Sequence, residues 1–488
     1  MINTQVKIHD KFSVEVKTGF FVSQKEKPID KFKINTWIFL PNGLDINSFT
    51  YTKEQFYSDL KSNVRLITPI YLPAEILKEG KGPFPRLEKS IENLLNEPNE
   101  TCAENYTYQI KMLLCILKSA FRENCIRISR HKDEKQIIES TKDFINNLAI
   151  IISKYRKMRD NVMKNLTIPD ELKEYFLFGD EYLGEITENS IFFLLNNFRT
   201  KPLVYDAIKS VLFQLIQNEN ENKQKMAYSV VIENEEEHNS LILIKKSLLK
   251  KFVESDLYLQ RIKKTDGAFT RELYYSFAAG LAMIFATVVS FVATQQFGNF
   301  TSSLFLALVV SYIFKDRIKE LARVYFSSKL DQRYFDWKWN VSIRNQKIGV
   351  IKEAFDFISQ DKVPEEIQNL RNKTPLVKAE NQIYDEKVIL YRKRVFLSKK
   401  ELEKYKEYRL SGINDIIRLN LLSFTKQMDN PTIPLYLPDA ATGLKTILGK
   451  RVYALYLVLE CMSDEAIYHK KYRLLLNRNG ISDITEIP

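Results

Sequence analysis

YYSFAAGLAMIFATVVSFVAT, residues 274–294, contains no charged side chain, and the rest of the chain is organised around it. A helix of about 20 apolar residues crosses a hydrocarbon core of roughly 30 Å, so this stretch has spanning length. A second apolar stretch, residues 297–314, follows the polar turn at residues 295–299. Because backbone polar groups in lipid must be satisfied within each segment, the two stretches predict a transmembrane α-helical hairpin.

Basic residues flank the predicted hairpin on both sides, whereas its turn contains no Lys or Arg. The flanking cations are Lys263, Lys264, Arg271, Lys315, Arg317, Lys319 and Arg323. Positively charged residues near membrane helices remain on the cytoplasmic side. This pattern predicts that both long flanking regions, and with them both termini, are cytoplasmic and that the turn lies outside.

Small residues recur every four positions along both predicted helices. They are Ala278, Ala282, Ala286 and Ser290 on the first helix and Ser303, Ala307 and Ser311 on the second. Small side chains at this spacing let helix backbones approach closely in a membrane. The two stripes can pair within one hairpin or between protomers. A buried core hairpin of a soluble protein is the alternative, but the long uncharged stretch and the basic flanks favour a membrane location.

The composition places the chain among folded proteins with two or three domains. It has 488 residues, 45% hydrophobic residues and a formal net charge of +12. Such a charge suits nucleic acid or the anionic inner face of a membrane, and the hairpin favours the membrane. The four cysteines include no CxxC pair, so we expect buried thiols in a reducing compartment. The first ten residues lack an apolar core, which predicts no signal peptide.

The sequence patterns divide the chain into three parts and predict an α+β multi-domain membrane protein. Residues 1–235 predict N-terminal strands followed by a helical bundle in the cytoplasm. Residues 240–330 predict a linker helix, the hairpin and an amphipathic stalk. Residues 331–488 alternate apolar and polar side chains and predict a cytoplasmic, mostly antiparallel β domain, such as a sandwich. Within that domain, Asn479 and Gly480 predict a type I′ hairpin turn.

Three stretches look chemically suggestive, but each has a simpler interpretation. Gly443 to Arg451 resembles a phosphate loop, yet the glycine spacing is wrong and Arg451 replaces the metal-binding hydroxyl. Carboxylates at 180–185 are favoured as a solvated helix start. The basic stretch at 391–394 is favoured as the exposed face of a strand. We therefore predict no metal, no cofactor and no assigned catalytic residue, and we leave enzymatic activity open.

The second half of the chain resembles a group of uncharacterised bacterial two-helix integral inner-membrane proteins. The resemblance rests on the two close apolar helices, the stretch KDRIKE at 315–320 and the stretch RLLLNRNGI at 473–481. It implies a location in the bacterial inner membrane. The group has no assigned activity, and the resemblance implies no functional residue.

These observations favour a cytoplasmic protein anchored at the inner membrane that acts as a scaffold, sensor or assembly component. Its expected partners are the lipid bilayer and either other proteins or further copies of itself, while nucleic acid is disfavoured. The alternative is an oligomeric pore-forming or membrane-perturbing protein built on the small-residue stripes. A second alternative is a membrane-anchored enzyme without a recognisable motif, because spatially assembled sites leave no local signature.

Overall fold

The chain folds into an α+β structure with two compact units, as shown by a computed structural model. The model describes all residues except 24–26, 79–81, 299–300, 345, 372–373, 378, 380–385, 405–407, 409, 440–442, 465 and 488. One unit, here called the strand unit, contains Met1–Val64, Leu259–Lys406 and Gly412–Pro488. The other, here called the helical unit, contains Arg65–Tyr258 and Glu407–Ser411.

The strand unit contains an eight-stranded sheet, a four-stranded sheet and a separate two-stranded ribbon. The strands are β1 (Ile2–Ile8), β2 (Ser13–Phe21), β3 (Ile29–Leu40), β4 (Leu60–Leu66), β5 (Gln260–Thr265), β6 (Trp337–Ile343), β7 (Gln346–Ile358), β8 (Lys387–Ser398), β9 (Gly412–Asn420), β10 (Thr432–Asp439), β11 (Gly443–Lys450), β12 (Tyr453–Ser463), β13 (Ile467–Asn477) and β14 (Gly480–Ile487). Their orders are β14-β13-β12-β3-β8-β7-β6-β5, β1-β2-β9-β4 and β10-β11. Every neighbouring pair in the large sheet is antiparallel.

The two larger sheets pack face to face around an apolar core. A small gap of about 50 Å³ between them is lined by Val16 and Ile417 from one sheet and by Ile38 and Leu457 from the other. Short helices α1 (Lys53–Asp59), α2 (Pro73–Ile76), α11 (Glu365–Arg371), α12 (Lys399–Glu403) and α13 (Leu422–Thr425) lie along the chain outside the helical bundle. Phe56 of α1 reaches the same gap. Burial of such side chains from both sheets is the main stabilising contribution.

Strand pairing joins the two ends of the chain, in contrast to the division read from the sequence. Strand β3 lies between β8 and β12, and Trp37 faces Leu390 on one side and Val458 on the other. The N-terminal strands and the C-terminal β region therefore belong to one compact unit. A sequence read in order cannot show this arrangement, because pairing depends on residues more than 300 positions apart.

A buried charge cluster lies between the two sheets, where the sequence had favoured an exposed basic strand. Lys393 on β8 is only 2% exposed. It forms ion pairs with Glu353 on β7 and with Asp415 on β9. Burial alone would lower the pKa of Lys393, but Asp415 and Glu353 hold it above its usual value. The strand is basic in composition, yet this cation faces the core because two carboxylates compensate it.

The helical unit is a bundle of long helices. These are α3 (Pro83–Asn96), α4 (Glu100–Arg130), α5 (Glu134–Lys164), α6 (Asp170–Phe198), α7 (Pro202–Lys225) and α8 (Glu236–Glu254). The carboxylates favoured as a solvated helix start lie in the interior of α6 instead. Asp180 is 1% exposed and bonds Arg159 at 2.7 Å and Arg156 at 3.2 Å. The sequence showed the carboxylate but not its partners, which come from α5.

The region predicted as a linker helix and hairpin has different boundaries in the structure. Helix α8 ends at Glu254, and residues 260–265 form strand β5. Helix α9 (Ala268–Phe297) contains the whole first apolar stretch, and α10 (Ser302–Arg333) contains the second together with the predicted stalk. Phe297, assigned from sequence to the second arm, belongs to α9. Asn299 and Phe300 lie outside the described residues.

Two further local predictions need correction. The hairpin β13–β14 is present, but Asn477 pairs with Gly480, and the intervening Arg478 and Asn479 lack the positive φ that a type I′ turn requires. Gly480 itself has φ of 128°, and a Cβ atom at this position would collide with the backbone of Lys11. The glycine-containing stretch that resembles a phosphate loop is largely strand β11.

The cysteines agree with the expectation of buried thiols. Cys115, Cys125 and Cys461 are buried, Cys102 is half-buried, and all four are free. Burial raises the pKa of Cys461 to about 11, so this thiol remains protonated at neutral pH.

Candidate membrane-associating site

The helix pair α9–α10 is attached to the large sheet through strands β5 and β6. Thr265 at the end of β5 faces Trp337 at the start of β6. The chain therefore leaves the sheet and returns to it at the same point. Both ends of the helix pair lie on the same side of any surface that the pair contacts.

The start of α9 is fixed by a glycine and a buried carboxylate. Gly267 has φ of 70°, and the ring of Tyr334 occupies the space that a Cβ atom would need. Asp266 is buried and accepts hydrogen bonds from Lys352 Nζ at 2.9 Å and from the backbone N–H of Phe335. The end of α9 nearest the sheet is therefore tied to the residues that follow α10.

A second carboxylate fixes the chain after α10. Asp336 accepts hydrogen bonds from Lys53 Nζ at 2.6 Å and Tyr57 Oη at 2.9 Å, both on α1. It also accepts the backbone N–H of Phe355 on β7. Such charge-assisted bonds orient a junction more strongly than neutral ones.

The small residues predicted as packing stripes lie largely between α9 and α10. Ala278 and Ala282 are each 1% exposed, and Ser311 is 4% exposed. Ala286, Ser290 and Ala307 are half-buried, whereas Ser303 is exposed. Ala293 is also buried and was not singled out from the sequence, because it lies off the four-residue spacing. The structure thus brings most of both stripes together within one chain.

The basic flanking residues stack on aromatic rings at several points. The ammonium of Lys263 lies 3.5 Å from the centre of the Trp337 ring. Lys315 lies over Tyr312 at 4.2 Å, and Arg323 lies over Tyr275 at 5.0 Å. Aromatic and basic side chains together suit the level of lipid headgroups. Lys264, Arg317 and Lys319 are exposed, and Arg271 is half-buried.

The outer surface of the helix pair is strongly apolar and uncovered. Large exposed hydrophobic side chains on α9 and α10 include Phe269, Leu273, Phe277, Met283, Ile284, Val288, Phe291, Phe305, Leu306, Tyr312, Ile313 and Phe314. Within the described residues, α9 alone is long and apolar enough to cross a membrane, with a mean hydropathy of 2.1 and only 17% of its apolar window buried. The alternative of a buried core hairpin does not fit this exposure.

The two helices differ in how much of their length is free of charge. Residues 273–297 of α9 carry no charged side chain and span about 37 Å at roughly 1.5 Å per residue. Residues 302–314 of α10 span only about 20 Å before Lys315 by the same rise. The uncharged depth common to both helices, measured from the turn, is therefore shorter than a bilayer core of roughly 30 Å.

A groove of about 460 Å³ runs between α9 and α10 and is lined by both apolar and polar side chains. It is lined by Met283, Ala286, Thr287, Ser290, Phe291, Thr294, Leu308, Ser311, Tyr312 and Lys315. Ser290 donates to the carbonyl of Ala286 at 2.8 Å, as hydroxyls in helices do. The buried hydroxyl of Ser311 has no hydrogen-bond partner among the described residues.

No relation to a known protein explains the site. No family model, no curated protein and no solved structure matches the chain. Within the part of the chain that the structure describes, no group of three or more His, Cys, Asp and Glu side chains could hold a metal ion. The geometry of the helix pair is therefore the basis on which a function can be proposed.

Proposed function

We propose that this protein is anchored in the bacterial inner membrane by α9 and α10 and acts there as a scaffold, sensor or assembly component. One observation carries the proposal, namely the apolar outer surface of the helix pair. Soluble monomers rarely expose contiguous apolar patches of more than a few hundred Å². Lipid covers such a surface at no desolvation cost.

The pairing of β5 with β6 supports insertion of both helices together. Since the two ends of the pair meet in one sheet, the chain crosses the membrane twice or turns back within it. The basic residues at that end favour the cytoplasm for both flanking regions. The uncharged segment of α10, about 20 Å, is shorter than the bilayer core, so a double crossing requires local thinning of the bilayer.

Two large folded units beside the proposed anchor favour an interaction role. The strand unit holds the end of the helix pair nearest the sheet through Asp266 and Asp336, so motion of that end is transmitted to the sheet. A scaffold or sensor needs such a rigid connection between its membrane segment and its folded part. A stable partner recovered after detergent extraction supports this role, and repeated recovery of the protein alone counts against it.

Thiol labelling in intact cells tests the anchor and its orientation. In a Cys102→Ser background, the remaining native thiols are buried, so a membrane-impermeant maleimide reports on one introduced cysteine. The variants are Gln296→Cys near the turn and, as a control in the helical unit, Leu166→Cys. Labelling of Gln296→Cys from outside, with Leu166→Cys labelled only after lysis, is the expected result.

Other outcomes have distinct meanings. Protection of Gln296→Cys from both sides, in a protein that stays in the membrane fraction, indicates a pair that turns back within the bilayer. Labelling of Leu166→Cys from outside reverses the orientation. Recovery of the full chain in the soluble fraction overturns the anchor itself.

A second candidate function, an oligomeric pore, is favoured by the position of Lys315. This cation lines the groove with Ala286 and Ser290, near the middle of the uncharged part of α9. Charged residues at membrane depth face partners or water rather than lipid. Several helix pairs arranged with their grooves inward would satisfy Lys315 and the Ser311 hydroxyl. Crosslinking in membranes tests this: ladders above a dimer support the pore, and a monomer alone excludes it.

A further inference from the structure

The β10–β11 ribbon is a second apolar element that projects from the strand unit. Its two strands pair from Thr432 and Lys450 at the base to Asp439 and Gly443 near the tip. Nearly every described residue of both strands is exposed, and neither strand joins either of the two sheets. The hydrogen bond from the Arg451 N–H to the Pro431 carbonyl at 2.8 Å closes the base.

Both faces of this ribbon are apolar. Residues that face each other across an antiparallel pair lie on the same side of the ribbon. One face carries Ile433, Leu435, Leu437 and Ile447, together with Lys445 opposite Leu437. The other carries Pro434, Tyr436, Pro438, Leu444 and Leu448, together with Thr446. A ribbon that rests on a protein surface buries one face and leaves the other polar, so the apolar residues that predominate on both faces indicate apolar surroundings on more than one side.

Two prolines reduce the hydrogen-bonding capacity of the ribbon's edge. Pro434 and Pro438 cannot donate to β11, so they lie at positions where the backbone nitrogen points away from it. The bond between Arg451 and Pro431 fits this alternation, since Pro431 lies at a paired position. Four residues of β10 direct their backbone nitrogen away from β11, and two of these four are prolines without an N–H. This edge is poorly suited to accept a further strand.

The ribbon and the helix pair leave the large sheet at the same end. Antiparallel registers place Thr265, Trp337, Ile358, Lys387, Leu40 and Tyr453 at ends of their strands that point in the same direction, with Tyr453 eight residues beyond the level of Trp337. Helix α9 follows Thr265, and α10 returns at Trp337. The ribbon ends immediately before Tyr453. Five strand spacings separate β5 from β12 across this sheet, roughly 24 Å, and the stagger of the strands adds roughly 27 Å along them.

We propose that the β10–β11 ribbon inserts into the same lipid bilayer as the helix pair, as a second point of attachment. The inference rests on the proposed membrane anchor, because the anchor brings this end of the sheet to the membrane. Exposed cations at the base, Lys450 and Arg451, match the anionic headgroups of the cytoplasmic leaflet. The strand unit would then be held at two places, and its rotation about the helix pair would be restricted.

Nitroxide labels on the full-length protein in vesicles of phosphatidylcholine and phosphatidylglycerol test the proposal. The labelled positions are Leu435→Cys and Leu448→Cys, one on each face, in the Cys102→Ser background. Ile284→Cys on α9 reports on the anchor, and Leu166→Cys is the water-exposed control. Collision rates with oxygen, which concentrates in lipid, and with a water-soluble nickel chelate are measured for each label.

The expected result is an oxygen-to-nickel ratio at both ribbon positions about ten-fold above that at Leu166→Cys, because insertion places them below the headgroups. Ribbon labels that collide with nickel as Leu166→Cys does, while Ile284→Cys is protected, overturn the ribbon proposal and leave the anchor standing. Ribbon labels shielded from both reagents indicate a covering protein or a second copy and also overturn it. Nickel access at Ile284→Cys and at both ribbon labels overturns both proposals.

A paired substitution gives an independent check. Leu435→Lys and Leu448→Lys place a charge on each face, and Leu435→Ile and Leu448→Ile are the matched controls that keep each face apolar. Each lysine variant should shift the label on the opposite face toward nickel access, whereas the isoleucine variants should leave it unchanged. Equal behaviour of the lysine and isoleucine variants contradicts insertion of the ribbon. Both positions are exposed, so the fold itself should be retained.

Discussion

Helices α6 and α9 have nearly the same length and opposite relations to their surroundings. Of the 29 residues in α6, 13 are buried, and they include aromatic and aliphatic side chains. Of the 30 residues in α9, three are buried, and all three are alanines. Helix α6 places its large apolar residues inside, whereas α9 places them outside and reserves the small ones for contact with α10.

The two helices also differ in whether they contain charged side chains along their length. The buried Asp180 of α6 is satisfied by two arginines of α5. In α9 no charged residue follows Glu272, and the nearby cations belong to α10. A soluble bundle can bury a charge if it supplies partners, whereas a helix facing lipid has none to offer. The contrast is the one expected if α9 faces lipid as proposed, while α6 faces a protein core.

The largest expected effect comes from breaking the buried ion network of α6. Asp180→Asn removes the charge that compensates Arg159 and Arg156, so we expect the free energy of unfolding to fall by about 3–5 kcal/mol. Urea denaturation of the full chain in detergent, followed by circular dichroism, measures it. Asp170→Asn, at an exposed position of the same helix, should change stability by less than about 0.5 kcal/mol. Equal midpoints for the two variants contradict the role of the network.

A charge on the outer face of α9 should act on the membrane location and leave the bundle intact. Ile284→Lys places an ammonium where we propose lipid, at a cost of about 3 kcal/mol. We expect the fraction that resists carbonate extraction to fall, while the urea midpoint of the helical unit stays the same. Ile284→Leu is the matched control. A fully retained Ile284→Lys variant would show that this face does not contact lipid.

The smallest effect is expected from enlarging a residue between α9 and α10. Ala282→Leu overfills a tight contact, which costs about 1–3 kcal/mol and separates the helices. Pulsed electron resonance between labels at Phe277→Cys and Val324→Cys should show a longer and broader distance. Gly280→Ala lies on the open side, where an added Cβ meets nothing within 4 Å, and should leave the distance unchanged. An unaltered distance in Ala282→Leu indicates that the alanine contact does not set the helix separation.

Local composition was sufficient to predict some elements of this fold. The apolar stretch at 274–294 is contained in α9, and the alternation at Trp337 and Trp339 is contained in β6. Both signals depend only on neighbouring residues. The α+β class, the antiparallel C-terminal strands and the helical character of residues 105–218 follow from the same kind of pattern.

Features that depend on distant partners could not be predicted. Nothing near Lys393 shows that Asp415 will compensate it, so an exposed strand was the reasonable expectation. The ribbon was not predicted, since its second strand contains the glycines at 443 and 449 and resembles a phosphate loop. The alternation from Ile433 to Leu437, ending at a turn with Asp439 and Gly443, is the signal that could have predicted it. Asp266 and Asp336 flank the helix pair, and no local sequence pattern indicated that these carboxylates fix its ends.

The position of β3 between β8 and β12 constrains the order of events during synthesis. Trp37 cannot pair until Leu390 and Val458 have been synthesised. At about 5–20 residues per second, a ribosome takes roughly 20–70 s to travel from Trp37 to Leu390. Helix α9 emerges within that interval, so the proposed insertion of this helix would precede formation of the large sheet. An unpaired apolar strand that persists so long needs protection from aggregation, and the nascent chain is expected to depend on a chaperone until its last strands appear.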